Sequence, residues 1–128
     1  MKYYFSKKLD LPFDDAVSKV EEELKKEGFG VLTDIDVKAT LKKKLDVEFR
    51  QYRILGACNP PFAYQALQAE DKIGTMLPCN VIVQEIAGGR VEIAAIDPIA
   101  SMQAVENPQL GEVAEKVRAK LKSVIDNL

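Results

Sequence analysis

Histidine is missing from all 128 residues, which removes the commonest general base and metal ligand available near neutral pH. Ser-His-Asp and Cys-His catalytic arrangements are therefore excluded within one chain. Any base would be a carboxylate, lysine or tyrosine whose pKa its surroundings had moved. Tryptophan is also absent, and cysteine occurs twice, at Cys58 and Cys79. Two thiolates are half of a tetrahedral set with no histidine to complete it, so neither a metal nor a cofactor is expected. No Walker loop, dinucleotide fingerprint or calcium loop is present, and Gly28-Phe29-Gly30 lacks the third glycine and helix start of a phosphate loop. Eighteen basic against twenty acidic residues leave a net charge of −2, which offers phosphate backbones no global attraction. The aromatic residues form no RNA-stacking motif, so nucleic acid is not an expected partner.

Long apolar runs are lacking too, so no membrane span is expected. The first eight residues hold only a three-residue apolar run, too short for the core of an export signal. With free thiols the default in a reducing compartment, the expected location is cytoplasmic. Hydrophobic residues make up 47% and charged residues 30%, ordinary proportions for a globular chain, and residues 1–128 read as a single domain.

Along the chain, Lys2 to Lys8 alternate as a strand with Tyr3 and Phe5 on the core side. Pro12 opens a helix whose apolar positions are Phe13, Val17, Val20 and Leu24, and Gly28 ends it. Phe29 to Ile35 reads as a second strand with Phe29, Val31, Thr33 and Ile35 on one face. Asp36 caps a short helix striped by Val37, Leu41 and Leu45, with lysines over the rest. Val47 to Ala57 is the third strand. Asn59 and Pro60 cap and open a helical insert carrying Phe62, Ala63, Ala66 and Leu67 at helical spacing. Ile73 to Pro78 is apolar enough to cover the core edge or to form a hydrophobic lid. Cys79 to Ile86 and Arg90 to Ile96 flank Gly88-Gly89, a two-residue hairpin signal. Asp97-Pro98 opens a short turn and Asn107-Pro108 the terminal helix, whose apolar face runs from Leu110 to Leu128. The order predicts an α+β fold: a two-layer, mainly antiparallel sheet with helices on one face.

Two groups of residues stand out as candidate sites. Cys58-Asn59 and Cys79-Asn80 should meet at one end of neighbouring antiparallel strands, where a corner of polar groups in apolar surroundings suits a ligand. The thiols themselves read as reduced and structural, as a reactive or redox pair, or as metal ligands pooled across a dimer. If Gly88 and Gly89 form the turn centre, Glu85 and Glu92 face each other across strands, with Arg50 or Arg53 on the preceding strand as the candidate cation between them. That charged cluster is either a solvated pair or an acid-base pair.

The segments Gly28 to Lys38, Ile54 to Pro61, Ile73-Gly74 with Leu77 to Val81, and Asp97-Pro98 together resemble the domain-of-unknown-function 302 family of small bacterial and archaeal proteins. The resemblance spans essentially the whole domain. It implies a TATA-binding-protein-like or helix-grip arrangement, a β-α-β4-α order with helices against a curved sheet, and a homodimer. It implies no reaction. The expected role is a small ligand-binding or protein-interaction module without catalytic activity of its own, its small-molecule ligand unspecified. The alternative is a thiol-based redox or metal-handling protein using Cys58 and Cys79.

Overall fold

The computed structural model describes residues 2–128. Five strands, β1 (Tyr4–Leu9), β2 (Gly30–Asp36), β3 (Tyr52–Cys58), β4 (Cys79–Glu85) and β5 (Val91–Ile96), form one sheet in the order β1-β5-β4-β3-β2. Every neighbouring pair is antiparallel. Between and after them lie helices α1 (Phe13–Lys26), α2 (Val37–Leu45), α3 (Pro60–Ala69), α4 (Pro98–Ser101) and α5 (Pro108–Asp126). Helices α1 and α5 pack on the same face of the sheet, which is the expected two-layer α+β arrangement.

Helix α1 buries Phe13, Ala16, Val17, Val20 and Leu24, spaced by three or four residues as one helical face requires. It stops in a Schellman turn: Gly28 N–H donates to Lys25 O, Phe29 N–H donates to Leu24 O, and Gly28 takes a left-handed φ of +88°. Phe29 is thereby buried beside the helix end. Helix α5 buries Leu110, Ala114, Val117, Leu121, Val124 and Ile125. The Lys7 ammonium donates to the carbonyls of Asp126 and Leu128, satisfying acceptors at its C-terminal end. Against these helices the sheet presents Leu55, Ala57, Val81, Val83, Val91, Ile93 and Ala95, all buried. At roughly 1.5–3 kcal/mol for each large apolar side chain, this layer dominates the favourable side of folding. Tyr4, Ile82, Gln84, Glu92 and Ala94 alternate onto the opposite face and are half-buried.

Side-chain caps hold three helix starts as expected. Asp36 Oδ1 accepts from Ala39 N–H, Asp97 Oδ1 from Ile99 N–H, and Asn107 Oδ1 from Gln109 N–H. Asp97 is only 3% exposed, and its charge is compensated by Arg118, whose Nε donates to Oδ2 at 3.1 Å. The same guanidinium lies 5.0 Å from the Phe5 ring centroid, so α4, α5 and β1 are tied at one point.

Four expectations are corrected. Tyr3 is 64% exposed and precedes β1, its ring edge-on to Tyr4 rather than in the core. In β2 a bulge at Leu32 separates two registers, Val31 opposite Ala57 and Thr33 opposite Gly56. Phe29 and Val31 therefore turn toward the helices while Thr33 and Ile35 turn away. The third strand starts at Tyr52, because residues 46–51 form an irregular approach after the left-handed Asp46. The β4–β5 connection is a three-residue loop, Ala87-Gly88-Gly89, closed by Ile86 N–H donating to Arg90 O. The stretch from Ile73 to Pro78 covers the core edge: Ile73 is buried in a 3-10 turn over Asp71–Met76, against Ala66 and Leu110.

Candidate functional site

The apolar interior has two parts. The main core lies between the sheet and helices α1 and α5; a smaller cluster of Ala66, Ile73 and Leu110 lies under α3 and the 3-10 turn. Val113 of α5 packs against both. Where they fail to close on each other there is a cavity of about 270 Å³, floored by Ala57 and Cys79 and walled by Phe29, Phe62, Met102 and Val117. Small residues on the facing helices, Ala63 and Ala66 of α3 and Ala114 of α5, also line it and leave the room. The exposed side chains of Leu32 and Leu67 belong to the same lining and mark its way out to solvent. No charged residue lines it; Cys58, Asn59 and Cys79 supply its side-chain hydrogen-bonding groups, apart from the weak thioether acceptor of Met102.

The sheet register brings three of the four expected corner residues here. Ala57 is directly opposite Cys79, so Cys58, one residue further along β3, ends beside the start of β4. Both thiols are free. Burial first, and the neighbouring Cys58 second, push the Cys79 thiol up to about 11, which keeps it protonated and inert near neutral pH. Gly56 controls how closely β2 and the Pro78 approach can pack on β3. A Cβ there would lie 2.7 Å from Pro78 Cγ and well inside the contact distance of Thr33 Oγ1.

Asn59 occupies the N-cap position of α3, but its side chain accepts no hydrogen bond from the helix start. The expected cap is replaced by a longer reach. Asn59 Nδ2 donates to the Glu27 carbonyl at 3.1 Å, and the residue is 8% exposed. Asn80 does not join the corner. It follows Cys79, so strand alternation places it on the opposite face, exposed and opposite Gly56.

The charged cluster is also rearranged. The three-residue loop slips the hairpin by one position, so Glu92 is opposite Gln84 and Glu85 opposite Val91. The two carboxylates consequently point to different faces and do not form a pair. Gln84, a residue the sequence reading passed over, takes the bridging place: Arg50 Nε donates to Gln84 Oε1 at 2.9 Å, and Gln84 Nε2 donates to Glu92 Oε1 at 2.8 Å. This relay borders a second hollow of about 380 Å³ on the sheet's other face, with Tyr4, Tyr52 and Asn80 around it. Among the described residues no group of three or more Cys, Asp or Glu side chains could hold a metal ion.

A family model described as "Domain of unknown function DUF302" matches residues 5–128. The chain belongs to the DUF302 family. Its fold is similar to the crystal structure of an uncharacterized conserved DUF302 protein from Bacillus stearothermophilus, with 28% sequence identity, 98% of each chain covered and a TM-score of 0.90. No curated protein matches the chain. Membership of DUF302 carries no assigned reaction, and nothing in these likenesses indicates catalysis or redox chemistry. The thiol-redox alternative is thus not favoured, in keeping with the raised pKa of Cys79.

Proposed function

We propose that this DUF302 protein is a one-domain, non-catalytic binding module that takes a small apolar molecule into the cavity between α3 and α5. The observation that carries the reading is the cavity itself: a space of about 270 Å³ bounded by two apolar clusters, with convergent polar groups at a single corner. A gap of this kind sacrifices dispersion contacts that larger side chains at Ala63 or Ala66 would restore, which is a reason to look for an occupant. Ala63→Phe fills the space from a half-buried position and tests the reading. The variant is expected to fold with unchanged or higher stability and to lose binding of an apolar probe such as indole. Equal binding by both proteins would contradict it.

The proposed assembly is a homodimer formed through the β2 margin. β2 is an edge strand, α2 beside it buries none of its residues, and Leu45 on α2 is 66% exposed. An unpaired strand edge next to exposed apolar side chains is complementary to a second copy of itself in antiparallel register. A cytoplasmic location is proposed with it: no helix among the described residues is long and apolar enough to cross a membrane, and both thiols are free.

A further inference from the structure

We infer that the cavity ligand is an uncharged, compact, apolar molecule with a single hydrogen-bond donor, a hydroxyl or N–H group, which Asn59 Oδ1 accepts. The inference rests on the cavity being the ligand site proposed above.

Size limits the ligand first. A volume of about 270 Å³ lies just under the roughly 300–1,000 Å³ of pockets that enclose drug-sized molecules, so one or two fused rings or a short branched chain is the scale that fits. Charge is limited next. With no lysine, arginine or carboxylate in the lining, a charged group would lose its hydration and gain no partner. The cavity floor is already dry enough to raise a thiol pKa. A fatty acid or an amine is therefore a poor fit, whatever the length of its tail.

The donor follows from Asn59. A backbone carbonyl can only accept, so the atom 3.1 Å from Glu27 O is the amide nitrogen, and the orientation of the group is set. Gly28 keeps it there, since a Cβ at that position would press to 3.3 Å from Nδ2. The other end of the amide, Oδ1, accepts no hydrogen bond from the first turn of α3 or from elsewhere among the described residues, and since no buried side-chain oxygen there lacks a partner, it is open to solvent. On a residue that lines an otherwise apolar space, a solvent-open acceptor of this kind is one whose water a ligand hydroxyl or N–H replaces hydrogen bond for hydrogen bond. Cys58 and Cys79 beside it are weak donors and acceptors and do not compete for a ligand hydroxyl or N–H.

The test is isothermal titration calorimetry of the full chain with three probes: indole, which has an N–H; benzofuran, of the same shape without a donor; and benzoate, of similar size with a charge. Indole is expected to bind about three- to tenfold more tightly than benzofuran, the range of one neutral hydrogen bond, and benzoate not to bind. In Asn59→Leu, indole and benzofuran should become equal; if that variant does not fold, the ratio in the unmodified protein still decides. Ala63→Phe should bind none of the three. Equal binding of indole and benzofuran by the unmodified protein overturns the donor assignment and leaves the apolar site standing. Preferential binding of benzoate overturns the uncharged class. Failure of all three probes, or binding unaffected by Ala63→Phe, overturns the cavity itself.

Discussion

Asn59 Nδ2 and the Glu27 carbonyl are joined by a 3.1 Å hydrogen bond across 32 residues of chain, from the start of α3 to the end of α1. Capping by Asn59 would have been local and would have left the two helices independent. The longer bond ties to the end of α1 a residue that also lines the cavity. Asn59→Ala should lower stability by about 1–2 kcal/mol, because a half-buried carbonyl loses its donor. Asn59→Asp should cost more than Ala, since it also brings a carboxylate into apolar surroundings. Urea unfolding midpoints of the three proteins check the order.

A second prediction concerns strand packing. Gly56→Ala places a methyl group against Thr33 Oγ1 and 2.7 Å from Pro78 Cγ, and should destabilise by about 1–3 kcal/mol through overpacking. Thr33→Ala should recover only part of that loss, because the Pro78 contact remains. A double-mutant cycle measures the coupling, which is expected to be favourable and below the full cost.

The Asp34–Arg53 pair on β2 and β3 predicts a pH dependence. Hydrogen bonds from the Arg53 guanidinium hold the Asp34 carboxyl below its ordinary range, with burial working in the opposite direction. A carboxyl depressed in the folded state stabilises above its unfolded pKa, about 3.9, and that contribution is lost as pH falls through the folded value. Both side chains are partly exposed, so the effect is on the order of 0.5 kcal/mol. The stability difference between the unmodified protein and Asp34→Asn should be constant near neutrality and shrink below about pH 4.

The thiols should differ in reactivity. Cys58 is half-buried, while Cys79 is buried with its pKa pushed up to about 11. Iodoacetamide at about pH 8 should modify Cys58 well before Cys79, with the second site reached only on unfolding. Mass spectrometry of peptides from timed samples reads this directly, and fast labelling of both sites would reopen a redox role.

For the dimer, Leu45→Glu is the discriminating change. Leu45 is 66% exposed on a helix that buries none of its residues, so the substitution should alter monomer stability by less than about 0.5 kcal/mol. Light scattering should give a dimer for the unmodified protein and a monomer for Leu45→Glu. Identical masses would count against the β2 margin.

How much of this was legible in the sequence depends on how local each signal is. Gly28, Asp36, Asp97 and Asn107 could be assigned because a helix end is settled by the side chains within a few residues of it. The α1 and α5 faces were equally legible, since one apolar stripe has one period. The bulge at Leu32 was not, because the register of β2 is set by its partner β3. Nor was the hairpin loop: Gly88 and Gly89 both take positive φ, and such a pair serves a two-residue or a three-residue turn equally well. That single step moved Glu85 and Glu92 to different faces. At the site, the meeting of Cys58 and Cys79 followed from strand adjacency. The separation of Asn80 was available from alternation along Cys79, Val81 and Val83 and was missed. The cavity left only a trace, the alanines of α3 and α5, since a void is a property of the packed elements together.

The central claim is that the space between α3 and α5 is a ligand site, and an NMR titration of the full chain with indole tests it most directly. The account predicts saturable amide shifts centred on Phe62, Ala66 and Val113, abolished in Ala63→Phe. Shifts centred instead on Tyr52 and Ala94, across the sheet, or shifts that persist in Ala63→Phe, would contradict it.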